Sequence, residues 1–211
     1  MKKISIVIIT TLAFVSCAFS QTRELFNGTD LSGWNLFLDP SSDANPADVF
    51  QAKDGVINIS GKPFGYMYTK EKFENFRLHI EWRWPETPSN SGIFIFTQEP
   101  AYWANCIEVQ LRAGSAGDFV LMGGADMKEF KLPENKERPK FPILAKFTKS
   151  NENPAGEWNN ATITAKNGVI EVFINGTLQN RGTSLNKNGH ISLQSEGGPI
   201  QFRNIRLTPL N

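Results

Sequence analysis

Histidine and cysteine are scarce in this chain of 211 residues, with two of each. His79 and His190 stand on separate segments without a spaced partner, which argues against a zinc centre built on imidazoles. Cys17 falls in an N-terminal segment that reads as removable, so Cys106 would remain alone and no intrachain disulfide could form. No nucleophile motif surrounds Cys106, which reads as a structural thiol. Charge of one sign is lacking too, with 22 basic against 21 acidic residues. Without residues 1–20 the chain loses Lys2 and Lys3 and no acid, leaving a net charge of −1 and no basic field for nucleic acid.

Long apolar stretches are missing apart from one. Met1-Lys2-Lys3 precedes an apolar run from Ile4 to Phe19, suited to a secretory signal and short of the roughly 20 residues a membrane span needs. Residues 1–20 are expected to be a signal peptide cut before Gln21, with Ala18 and Ser20 as the small residues at the cleavage site. Phe14-Val15-Ser16-Cys17 resembles a lipobox, so attachment through Cys17 is the rival expectation. Either way the protein is expected outside the cytoplasm, in the periplasm or at the cell surface. Residues 21–211 show no linker and are expected to form a single domain with no transmembrane segment.

Helical periodicity is nearly absent, and only Lys70–Asn75 suits a turn or two. Period-two alternation recurs instead, in Val56–Ile59, Phe76–Trp84, Gly92–Phe96, His190–Ser195 and Ile200–Leu207, so the fold class is all-β. Asn167-Gly168 and Asn175-Gly176 predict tight hairpins, because both central residues of a type I′ turn take positive φ. Broken alternation at Arg203-Asn204 predicts a bulge. Residues 126–156 are long and aperiodic, open to reading as a lid or as a solvated insertion.

One strand carries chemistry on its pattern. Cys106–Arg112 puts Ile107, Val109 and Leu111 on one face and Glu108, Gln110 and Arg112 on the other. The polar set could line a groove that hydrogen-bonds a polyhydroxylated ligand, or could simply meet water. Tyr66 and Trp103 are candidates to stack on a sugar ring, though aromatic residues often serve the core. Trp158 reads as structural.

Five blocks occur in the order of one family: Leu25–Trp34; Asp54–Ile57 with Gly65-Tyr66 and Thr69; Phe76–Trp84 running into Asn90–Phe94; Gly156–Asn159; and Gly189–Leu207. Together with Glu108-Val109-Gln110 they resemble the 3-keto-disaccharide hydrolase domain family over nearly all of residues 21–211. The resemblance implies a concanavalin A-like jelly roll of two curved antiparallel sheets. It also implies an enzyme that cleaves 3-keto-glycosides, with a non-catalytic carbohydrate-binding module on the same fold as the alternative. Departures are Phe96 where many members have Arg, Arg112 at an often acidic position, and Glu196 in place of His.

Retaining hydrolysis on this fold needs two carboxylates about 5 Å apart, yet the position two beyond Glu108 is Gln110, so a second acid would have to come from Glu196 or Glu157. A 3-keto sugar needs less, because its carbonyl acidifies the C2 hydrogen and one base with an oxyanion stabiliser suffices. Glu108 is expected to be that base, or to hold a divalent cation such as calcium. Arg83, Asn90, Gln110 and Gln194 are expected to bind sugar oxygens or developing negative charge. No cofactor is otherwise implied. The expected partners are a glycoside or oligosaccharide substrate and an oxidoreductase that makes its ketone.

Overall fold

Each alternating segment became a strand. The computed structural model describes residues 21–211, so the expected signal peptide and the Cys17 lipobox lie outside the described residues. In chain order the strands are β1 (Arg23–Glu24), β2 (Trp34–Leu38), β3 (Phe50–Lys53), β4 (Val56–Ile59), β5 (Gly65–Thr69), β6 (Phe76–Arg83), β7 (Gly92–Thr97) and β8 (Cys106–Gln110). There follow β9 (Phe119–Met122), β10 (Ile143–Leu144), β11 (Asn159–Lys166), β12 (Val169–Ile174), β13 (Thr177–Thr183), β14 (His190–Ser195) and β15 (Ile200–Pro209).

They form two antiparallel sheets. The first runs β13-β12-β11-β6-β15-β4-β3 with β1 on β15, and the second runs β10-β9-β8-β7-β14-β5-β2. Sequence neighbours such as β6 and β7 therefore sit in different sheets, as a jelly roll requires. The inner faces meet over a core that takes Phe76, Leu78, Ile80 and Trp82 from β6, Ile107 and Val109 from β8, and Ile191 and Leu193 from β14.

Local signals explain the connections. Asn167 and Gly168 both take positive φ (52° and 83°), as do Asn175 and Gly176 (47° and 79°), and each pair turns a hairpin. The bulge in β15 lies where alternation breaks, with register shifting between Arg203 and Arg206 and Asn204 at φ 51°. The helical expectation fails at Lys70–Asn75, where the Phe73 backbone bridges to Gly189 in both directions (2.8 and 3.0 Å) and cannot coil. A single helical turn, α1 (Pro46–Val49), forms instead, where Asn45 caps the Ala47 N–H and proline opens the helix. Phe96 is buried in the core because a bulge between β7 and β14 turns it inward at φ 60°.

Candidate functional site

The outer face of the second sheet carries the site. Register places Phe94 opposite Glu108 and Gly92 opposite Gln110 across β7 and β8, with Ser192 opposite Phe94 on β14. One pair on in that register, Gln194 flanks Gly92. With no side chain at Gly92 a gap opens between Gln194 and Gln110, and the Glu108 carboxyl fills it: a Cβ on Gly92 would lie 2.4 Å from Glu108 Oε1. An isolated glycine at a strand end can mark such a close approach.

A cleft of about 170 Å³ opens over this row. Its polar side consists of Asn90, Glu108, Gln110, Gln194 and Glu196, and its apolar side of Trp103, Val120, Met122, Phe141 and Ile143. Larger depressions exist, about 350 Å³ between Pro85–Ser89 and Gly198-Pro199 and about 610 Å³ on the outer face of the first sheet around Arg77, His79 and Glu171. Neither is lined by a buried polar atom that lacks a partner.

The small cleft has three such atoms: Asn90 Oδ1, Glu108 Oε1 and Gln194 Oε1. Leaving a buried acceptor unpaired costs about 1–3 kcal/mol, so three around one cleft describe a surface shaped for hydroxyl donors. Their neighbours are already engaged. Gln110 Oε1 accepts from the Arg112 backbone N–H at 2.8 Å, which turns its amide nitrogen into the available donor. Gln194 donates to Glu196, leaving its own oxygen free.

Glu108 is only 3 % exposed. Burial, and secondarily the nearby Glu196 carboxylate, push its pKa up to about 8, so at neutral pH it is mostly protonated. Glu196 is also raised, by burial against the opposing bond from Gln194. Two carboxyl groups in one cleft with the buried one pushed far up is an arrangement suited to proton transfer.

The remaining expected residues separate. Trp103 reaches the cleft, with Lys140 Nζ 4.6 Å from its ring centroid and Phe141 packed edge-on at 4.9 Å. Arg83 does not: β6 belongs to the first sheet, and the guanidinium lies on its outer face, bonded to Gln201 (2.7 Å) and 4.5 Å from the Trp158 ring. Alternation told which way Arg83 points and said nothing of which sheet holds it. Tyr66 is on the correct sheet but fully buried, its hydroxyl exchanging 2.9 Å bonds with the backbone of Ala101 and its ring stacked on Phe37. It anchors the 99–105 loop and presents no face to a ligand. Arg112 lies past the end of β8 and is exposed, near Ser115 Oγ at 3.3 Å, and Glu157 is exposed beside the Arg83 end of the first sheet.

Cys106 is fully buried, and burial first, then the charge of Glu108, raise its thiol well above the ordinary value, so it offers no nucleophile. His190 donates Nδ1–H to the Thr69 carbonyl at 2.7 Å, while His79 sits on the other sheet, 3.7 Å from Glu81. Among the described residues no cluster of three or more His, Cys, Asp or Glu could hold a metal. Sequence patterning missed Gly92 and the apolar wall of Val120, Met122, Phe141 and Ile143. The last two come from the 126–156 segment, whose β10 pairs with β9.

Comparison with known proteins bears on this geometry. The family model described as a 3-keto-alpha-glucoside-1,2-lyase-like domain matches residues 21–208. The chain belongs to that family. It is 23% identical to a 3-keto-disaccharide hydrolase of Bacteroides thetaiotaomicron, over 89% of this chain and 78% of that protein. A Parabacteroides distasonis structure assigned as a glycosyl hydrolase superposes with a TM-score of 0.66 at 24% identity, covering 90% of this chain and 94% of that one. The Bacillus licheniformis β-glucanase superposes at 0.57 with 12% identity, over 92% and 100% of the two chains, which shows a shared fold. Family and curated relative make this chain a glycosidase-type enzyme.

Proposed function

We propose that the protein cleaves 3-keto-glycosides by elimination and hydration in the cleft above Glu108. The observation that supports this most is the trio of unpartnered buried oxygens, Asn90 Oδ1, Glu108 Oε1 and Gln194 Oε1, gathered around one cleft. A carboxylate with a pKa near 8 is a stronger base than an ordinary one, which suits removal of a hydrogen made acidic by an adjacent ketone. In its ionised form Glu108 takes the C2 proton, the C2–H electron pair forms C2=C3, and the carbonyl pair moves onto the keto oxygen. The Gln110 amide N–H₂ is the donor available to that oxyanion. Re-formation of the carbonyl makes C1=C2 as the C1–O bond breaks, and the departing oxygen recovers the proton from Glu108. Water then adds its hydroxyl at C1 and its proton at C2, for a net hydrolysis.

Purified protein incubated with a 3-keto-glucoside should release the aglycone, and the parent glucoside, which lacks the acidifying ketone, should stay intact. Turnover should rise with pH along a limb near 8, because the base must lose its proton. In Glu196→Gln the like charge beside Glu108 disappears, so that limb should move to lower pH. A pH–rate profile of the two forms measures both effects.

The ketone must be supplied by an oxidation at C3, which assigns an oxidoreductase as partner, and the N-terminal segment fits export to the periplasm or cell surface. The oxygens of Glu108, Glu196, Asn90 and Gln194 are of the hard type that calcium or another divalent ion accepts, and such an ion would supply Lewis acidity at the keto oxygen. An ion held there would raise the melting temperature, and a chelator would reverse the rise. A non-catalytic sugar-binding module is not favoured, given the enzyme family to which the chain belongs.

A further inference from the structure

The cleft is two-sided, and the boundary runs through Glu108. On β8 Glu108 pairs laterally with Val120 of β9. Gly92 and Gln194, with their polar neighbours, lie to one side; Val120, Met122, Ile143 and the Phe141 and Trp103 rings lie to the other. Neighbouring strands are about 4.8 Å apart, so a bond being broken above Glu108 puts its two substituents over different strands. The sugar ring goes to the side with the free acceptors, Asn90 Oδ1 and Gln194 Oε1. Its leaving group goes over β9 and β10.

We infer that this second half of the cleft is a subsite for a flat apolar aglycone, so that the preferred substrates are 3-keto-glycosides of aromatic or apolar alcohols and not disaccharides. The inference rests on the reading of Glu108 given above. A second sugar would bring hydroxyls against Val120, Met122, Phe141 and Ile143, whose side chains offer no hydrogen-bond partner, and each stripped hydroxyl is costly. An apolar ring gains from the same surroundings. Ile143 stands 53 % exposed at the rim, and Lys140 Nζ lies 4.6 and 5.1 Å from the Trp103 and Phe141 ring centroids, bracing the aromatic wall. Covering Ile143 with a ligand ring removes apolar surface from water that the free protein leaves wet.

Benzyl and methyl 3-keto-α-glucosides and an α-linked 3-keto-disaccharide, all with alkoxide leaving groups and the anomer of the family description, separate wall contacts from the ease of departure. The benzyl compound is expected to show the highest kcat/KM, exceeding the disaccharide by about a hundredfold, the scale set by burying an aromatic ring. Ile143→Ser, a rim change that leaves the core untouched, should cost the benzyl substrate about tenfold and the methyl substrate nothing. Equal turnover of benzyl substrate and disaccharide, or an equal loss on all substrates in Ile143→Ser, overturns the inference. If nothing is turned over, the proposed reaction fails and the wall is still decided. Calorimetric affinity for benzyl against methyl 3-keto-glucoside then replaces kcat/KM: a large ratio that falls in Ile143→Ser supports the subsite, and a ratio near one overturns it.

Discussion

Glu108→Gln should lower turnover of a 3-keto-glucoside by roughly 10²–10⁴-fold while the protein becomes more stable and keeps its sugar affinity. The loss follows from the base, since an amide cannot accept the C2 proton, yet glutamine preserves the shape of the side chain and its contacts in the cleft. The gain follows from linkage. Glu108 has a folded-state pKa of about 8 against an ordinary 4.5, so between those values the native form holds a proton that the unfolded chain has released. That contribution to stability is fully present below about 4.5, declines as pH rises, and is gone above about 8. At pH 7 the deficit is about 3 kcal/mol at 1.36 kcal/mol per pH unit, and glutamine removes it. Denaturant unfolding of both proteins from pH 4 to 9 should give curves that meet near pH 4 and diverge upward. Parallel curves would mean that Glu108 is ionised and paired in the native state. Buried groups that function demands commonly cost stability in this way.

Gly92→Ala is expected to lose activity nearly as completely, with the opposite effect on stability. The new Cβ would fall 2.4 Å from Glu108 Oε1, 2.7 Å from its Cγ and 2.9 Å from its Cδ, so the carboxyl must leave the gap between Gln110 and Gln194. Gly92 is absent from the residues of positive φ, so backbone strain plays no part and the clash acts alone. Overpacking of this kind costs about 1–3 kcal/mol. The two variants therefore make a pair, both slow, one more stable than the parent and one less. Retention of normal turnover in Gly92→Ala would show that the position of the Glu108 carboxyl is not what catalysis depends on.

Most of the fold was legible because strand alternation, Asn-Gly turns and the bulge at Asn204 are local effects. Period two announced β6, β7, β8 and β14, and it assigned Ile107 and Val109 inward with Glu108 and Gln110 outward. The helix expected at Lys70–Asn75 failed because a distant residue, Gly189, claimed the Phe73 backbone. Gln194 and Glu196 line the cleft with Glu108, while Arg83, read from an equally regular strand, lies on the opposite sheet. Tyr66 failed differently: its face was right, but the 99–105 loop closed over it.

By itself the sequence determined the fold class, the faces of the strands and the turns, since these depend on side-chain alternation and on φ preferences within a few residues. Tertiary structure decided which strands share a sheet, that Gly92 makes room for Glu108, and that Val120, Met122 and Ile143 stand opposite the unpartnered oxygens of Asn90 and Gln194. Those outcomes depend on pairing between segments tens of residues apart. Alternation carries no label for the partner strand, and the burial that raises Glu108 to about 8 exists only once the partners have met.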